Sequence, residues 1–399
     1  MSINAYLRAD GKKGIRNTVV VGYLVECAHH VAREIMYPYR EQGVHLIGFP
    51  GCFPNVYSYQ MMEKLCTHPN VGAVLLLSLG CEGFNKGKLL ETIRKSGRPS
   101  KLVIIQDTGG TRKSIDEGKA WVEQTLKQLA TTPRAPMEIE ELIVGTICGG
   151  SDATSGLTAN PAMGRAFDFL VEKNATCIFE ETGELIGMEH WMAKRAENPV
   201  LGQEIIKTVA KAAQYYAAYG HASIGPGNAD GGLTTIEEKS LGAYAKSGQS
   251  IISGIIKPGD VPIKGGLYLL DVVPDGEPKF GFPNISDNAE IAELMACGSH
   301  LSLFSTGRGS VVGSAISPVI KVCANPDTYK RMSDDMDVDA GRILEGRATL
   351  DEVGHEIYDL ILRVANGEQT KSEEMGHQEF ILTYKTFEPI GPACYPTAA

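Results

Sequence analysis

The sequence predicts an α/β protein: a Rossmann-like, doubly wound, mostly parallel sheet of about seven strands, with helices on both faces and a smaller helical region. Two observations carry this expectation. Short β-branched or leucine-rich runs alternate with helical patterns through most of the chain, as in a parallel sheet linked by crossover helices. The same runs are nearly continuous in apolar residues, as strands covered on both faces must be. With 399 residues, 43% of them apolar, the chain can bury a core of that size.

The expected strands are residues 18–25, 44–49, 73–79, 102–106, 141–147, 175–179, 266–272 and 300–304, and seven or eight strands fit one large sheet. Helices are expected over 28–39, 58–67, 86–96, 113–129 and 161–173, with Thr111 and Asn160 as first-turn caps. Residues 182–219 read as a longer helical region, 226–232 as a glycine-rich turn, and the stretch up to Lys246 as a further helix. From Asp334 the pattern is helical and ends in a polar tail, HQEF through EPIGPACYP. Residues 1–180 are therefore expected to form the first part of an α/β domain that would carry the site, 181–250 a helical insertion or second lobe, and 251–399 a return to the sheet with C-terminal helices.

The net charge of -10 comes without a basic stripe, which argues against a nucleic-acid partner. No apolar run reaches membrane-spanning length and the first residues lack a signal-peptide core, so no membrane is expected and a cytoplasmic location is. Nine cysteines, an odd number, suggest buried thiols, metal ligands or catalytic groups rather than a disulfide framework.

In open α/β sheets ligands collect at the carboxyl ends of the strands, and the polar residues fall there. Cys27, Cys52, Cys81 and Cys148 stand at equivalent ends of four strands, although no CxxC spacing is present. Thiolates suit iron, zinc or an iron–sulfur centre; Cys52, Cys81 and Cys148 are the candidate ligands, for Fe2+, an iron–sulfur centre or another divalent metal. Cys66, Cys177, Cys297 and Cys323 lie in apolar stretches and read as structural. His29 and His30 open a helix, where the dipole favours a neutral ring fit for metal binding or proton transfer. Glu181 follows a buried strand and Asp152 follows Cys148; both are candidate acid–base groups. Glycine-rich turns at Gly109, Gly110 and Thr111, at Ser151, at Asn228 and beside Arg308, with Lys239, can hold the anionic end of a substrate. None has a nucleotide-binding spacing.

Several long segments resemble a known family: YLRADGKKGIRN, HPNVGAVLLLSLGCE, CGGSDATSGLTANPAMG, PGNADGGLTTIEEKSLGA, STGRGS and YKRMSDDMDVDAG look like signatures of altronate and galactarate dehydratases, in the same order. The resemblance implies a metal-dependent lyase with a Rossmann-like sheet, iron support and homodimerisation, acting on a small hydroxy acid, with Arg16 and Asn17 of the first segment at the substrate. Full-length members carry a small β-rich domain ahead of that segment. The chain is therefore similar to the large subunit of split forms, such as two-subunit altronate dehydratases or (2R)-sulfolactate sulfo-lyase, and a separate small β-rich subunit is expected. Both chemistries take the proton from C2 and expel a group from C3, hydroxide in one case and sulfite in the other. The polar tail leaves the six-carbon sugar acids and the shorter acids both open. A non-catalytic binding subunit is the competing reading.

Overall fold

The computed structural model describes residues 2–219, 224–276 and 286–383; most of the polar tail, 384–399, lies outside the described residues. The α/β class holds, and so does a seven-stranded parallel sheet, but the strands divide between two parallel sheets instead of one. The first is four-stranded, in the order Val44–Gly48, Thr18–Tyr23, Val71–Ser78, Ser100–Ile104. The second runs Ile252–Ile256, Gly266–Leu270, Thr176–Phe179, Ile143–Cys148, Leu301–Thr306, Val319–Cys323, Val338–Asp339. The strands beyond residue 250 thus return to the sheet of Ile143–Cys148, and not to that of Thr18–Tyr23.

Apolar patterning explains the layers. Val71–Ser78 is buried at every position, which requires cover on both faces. Helices His29–Met36 and Thr111–Leu129 supply one cover, packing Ile35, Val122 and Leu129 on Val19, Val21 and Leu75. Helices Val56–Cys66 and Lys86–Lys95 supply the other, and their core continues through helix Asp287–Ala296 to Ile147 and Phe304 of the seven-stranded sheet. The two sheets therefore share one core. The far face of the large sheet is covered by Ala159–Val171 and Leu350–Ala365. A small antiparallel sheet, Lys13–Gly14, Ile3–Leu7 and Arg134–Met137, ties the start of the chain to the crossing between the sheets.

Local expectations shift for identifiable reasons. Thr111 is the first helical residue and makes no cap bond, because Gly110, with φ 100°, occupies the cap. Asn160 lies inside its helix; its amide donates to Gly242 O at 2.9 Å and its oxygen accepts from Ser305 Oγ at 2.6 Å. The stretch after Asp334 contributes the strand Val338–Asp339 and a short turn of helix, Gly341–Ile343, before Leu350–Ala365. The strand Val319–Cys323 escapes the apolar pattern because Lys321 sits at its centre, fully buried, with Nζ 3.3 Å from His377 Nδ1.

Candidate functional site

The carboxyl ends of Ile143–Cys148 and Thr176–Phe179 are adjacent in register, and a cluster of buried charged groups forms there. Cys148 closes its strand and is buried. Glu181 follows the neighbouring strand with φ 73° and ψ 48°. A left-handed conformation is unfavourable for a residue with a Cβ, and such strain concentrates at functional positions. It turns the carboxylate back onto Cys148: Oε2 accepts from Cys148 N at 3.1 Å and Oε1 from Cys148 Sγ at 3.2 Å. Glu184, in the turn of helix Thr182–Leu185, lies 3.2 Å from the same sulfur, whose single proton can go to only one of the two carboxylates at a time.

Two lysines of one helical segment neutralise these carboxylates. Lys239 and Lys246 are seven residues apart, two turns, and so share a face. Lys239 Nζ pairs with Glu184 Oε1 at 2.6 Å and lies 3.5 Å from Ser151 Oγ; Lys246 pairs with Glu181 Oε2. All four side chains are at most 15% exposed, so the pairing, rather than water, must offset their desolvation. Burial alone would depress Lys239, but Glu184 and Cys148 hold its ammonium well above the usual range. Burial, and then Glu184, push the Cys148 thiol up, and the same two causes raise the Asp287 carboxyl. The two ion pairs match two carboxylates with two ammonium groups, and Asp287 adds a third carboxyl beside them.

Gly149 is indispensable to this packing, since a Cβ there would lie 2.3 Å from Asp287 Oδ2 and 2.5 Å from Phe304 Cζ. The space lined by Cys148, Ser151, Glu184 and Lys239 is about 10 Å³, the least that admits one water.

Among the described residues, Cys148, Glu181 and Glu184 are the group whose donor atoms all lie within 4.8 Å of one another, close enough for one cation. One sulfur and two carboxylates suit a divalent transition metal; holding it means exchanging it for the ammonium groups that now neutralise the carboxylates.

Of the residues expected from sequence, several meet here. Ser151 is fixed from both sides, by Lys239 and by Asn228, whose amide donates to Ser151 O at 3.0 Å. Arg308 donates to Gly227 O at 2.7 Å, tying a second glycine turn to the same loop. Asp152 is beside them but acts as a knot: it accepts from Thr154 N at 2.9 Å, Thr154 Oγ1 at 2.6 Å and Asn325 Nδ2 at 2.9 Å.

The others lie on the four-stranded half. Cys52 and Cys81 are exposed, in touching loops joined by Gly83 N donating to Cys52 O at 2.8 Å. With Cys148 buried on the other sheet, Cys52, Cys81 and Cys148 do not form a group within reach of one ion. His29 Nδ1 lies 3.0 Å from Glu26 Oε1, and His30 is exposed beside Arg33. Gly109, Gly110 and Thr111 shape the entry to helix Thr111–Leu129. Arg16 grips Glu373 with two bonds, 2.6 and 2.8 Å, and donates to Val364 O and Glu368 O. Asn17 accepts from Arg8 at 2.5 Å and donates to Leu129 O at 3.0 Å. These last contacts hold chain segments together.

Sequence reasoning missed Glu184, Lys246 and Asp287. The available signals were the three-residue step from Glu181 to Glu184 and the seven-residue step from Lys239 to Lys246, each placing like charges on one side of a turn or helix; Asp287 carried none.

Two family models match the chain: D-galactarate dehydratase/Altronate hydrolase, second domain, over residues 5–130, and D-galactarate/Altronate dehydratase, C-terminal, over 139–387. The chain is 32% identical to (2R)-sulfolactate sulfo-lyase subunit beta of Chromohalobacter salexigens, covering 95% of this chain and 96% of that one. It is 29% identical to altronate dehydratase of Escherichia coli, covering 95% and 77%, and 33% identical to galactarate dehydratase (L-threo-forming) of the same organism, covering 80% and 61%.

Proposed function

We propose, for a chain that belongs to the D-galactarate/altronate dehydratase family, that it is a metal-dependent lyase subunit dehydrating a 2,3-dihydroxy acid such as altronate or galactarate to a 2-keto-3-deoxy acid. The observation that carries this reading is the buried, ion-paired cluster of Cys148, Glu181, Glu184, Lys239 and Lys246 at two strand ends.

An incoming carboxylate exchanges for Glu184 at Lys239, with the Ser151 hydroxyl beside it, and so takes over an ion pair already buried. Released from Lys239, Glu184 is the candidate base for the proton on C2. Glu181 stays on Cys148 N–H and Lys246 and keeps the strand ends in register with the substrate. A divalent metal such as iron would take the place of the two ammonium groups; Cys148, Glu181 and Glu184 would then hold it, it would supply Lewis acidity toward the leaving hydroxyl and the enolate, and Glu184 as a ligand would not also serve as the base.

The second reading is elimination of sulfite from (2R)-sulfolactate to give pyruvate, favoured by the relative that the chain covers almost end to end. The same lysines and carboxylates serve it, because only the group leaving C3 differs. That relative is a subunit by name, which supports a separate small β-rich partner; a homodimer of this chain and a cytoplasmic location complete the reading. No helix among the described residues is long and apolar enough to cross a membrane.

Iron-loaded protein, alone and with a candidate small subunit, is incubated in parallel with altronate, galactarate and sulfolactate. 2-Keto acid from a sugar acid without sulfite supports dehydration, and stoichiometric sulfite supports the second reading. No keto acid from any of the three, with metal and partner bound, leaves the non-catalytic binding subunit as the correct description.

A further inference from the structure

The four-stranded sheet carries a second feature that the charged cluster does not use. Of the eight free cysteines among the described residues, five are buried and three, Cys27, Cys52 and Cys81, are exposed. Free cysteine is among the most buried residue types, so three exposed thiols require an explanation of their placement.

The register supplies it. Tyr23 of the central strand is paired with Gly48 on one side and Leu77 on the other. Each cysteine follows its registered residue by four positions: 23 to 27, 48 to 52 and 77 to 81. The chains stay joined past the strand ends, through Leu24 N to Leu77 O at 2.9 Å, Glu26 N to Pro50 O at 3.1 Å and Gly83 N to Cys52 O at 2.8 Å. The cysteines therefore all follow the same end of three adjacent parallel strands, in loops that are hydrogen-bonded to one another. The fourth strand, in which Ser78 pairs with Ile104, places Asp107 at the same step.

Each cysteine is also followed by a helix of eight residues or more: His29–Met36, Val56–Cys66 and Lys86–Lys95. Three helix N-termini thus face this end of the sheet, and their partial positive charge favours an anionic ligand. The thiol sulfurs are not all within 4.8 Å of one another, the spacing of donors to a single ion. A cluster that puts each cysteine on a different iron needs wider spacing.

We propose that Cys27, Cys52 and Cys81 form a binding site for an iron–sulfur cluster of the four-iron type, separate from the Cys148 group, with one iron left to an oxygen ligand. Asp107, or an oxygen of a bound small molecule, occupies that fourth position. Cys148 belongs to the other site, since its sulfur already faces Glu181, Glu184 and Ser151 inside the core.

The full chain is purified without oxygen, reconstituted with ferric iron, sulfide and a thiol that reduces half of the iron, and desalted. Wild type and Cys148→Ser are each expected to retain about four acid-labile sulfide per chain, with about four iron in Cys148→Ser and up to one more in wild type where the Cys148 group is also filled, together with the broad visible absorption of a cluster and a paramagnetic signal after reduction. Cys27→Ser, Cys52→Ser and Cys81→Ser each lower retention, and the triple variant abolishes it. Because a variant can misfold, wild-type protein is also alkylated and mapped by mass spectrometry: loading is expected to protect Cys27, Cys52 and Cys81 together. A wild type that retains no sulfide, a triple variant that keeps the cluster, or loading that leaves the three thiols reactive overturns the proposal. Cluster without turnover of any hydroxy acid counts against the lyase reading alone, and turnover without cluster counts against this site alone.

Discussion

Replacing Lys246 by methionine isolates the central ion pair of the charged cluster. The lysine and Glu181 side chains are 2% and 6% exposed, so Lys246→Met retains most of the volume and strands a carboxylate away from water. Breaking a buried pair from one side costs about 3–5 kcal/mol. Glu181 keeps its bonds from Cys148 N and Sγ, which places the expected loss near the lower figure, about 3 kcal/mol. Glu181→Gln strands the ammonium instead and costs a similar amount. The double variant removes both charges and should be more stable than the sum of the single losses by about 2 kcal/mol or more. Urea unfolding followed by tryptophan fluorescence measures all four corners of the cycle, and keto-acid formation is assayed on the same samples. Single losses below about 1 kcal/mol that simply add would mean a solvent-screened pair and would refute the buried-pair argument. Wild-type turnover in Lys246→Met would detach the pair from the reaction.

Acid sensitivity should come in part from His300. Burial holds its pKa down to about 4, while the unfolded ring titrates near 6.5. Between those values the unfolded chain carries the extra proton, so the contribution to stability is complete above about pH 6.5 and is lost as pH falls toward 4, by roughly 3 kcal/mol. His300→Gln should flatten that part of the urea midpoint against pH, leaving the share of neighbouring His68, which burial also depresses; an unchanged slope would refute the assignment. Gly149→Ala drives a methyl group into Asp287 and Phe304, and overpacking of this kind costs roughly 1–3 kcal/mol. Calorimetry should find the loss, turnover should fall with it, and a variant of native stability and rate would show that the strand end yields without consequence.

The class of the protein was legible residue by residue. The runs around Val74, Ile147 and Phe304 could be nothing but doubly covered strands, because each side chain in them needs an apolar neighbour on whichever face it points to. Strand ends were legible too, through Gly80, Gly149 and the polar residues after them, and so were Cys148, Glu181 and Lys239 as candidates for the site. Lys321 and Glu290 show where this reading stops: each is charged yet buried, and patterning assigns charge to the surface.

What periodicity cannot express is which strand lies beside which. Alternation of strand and helix is the same whether Ile143–Cys148 joins Thr18–Tyr23 or begins a new sheet, and only the packing of Val56–Cys66 on Asp287–Ala296 shows two sheets sharing one core. The sequence alone determined an α/β chain with thiols, carboxylates and lysines at strand ends. The tertiary structure separated the exposed thiols of one sheet from the buried thiol of the other, and brought Glu184 and Lys246 to Cys148, because ion pairing and desolvation depend on distances between residues far apart in the chain.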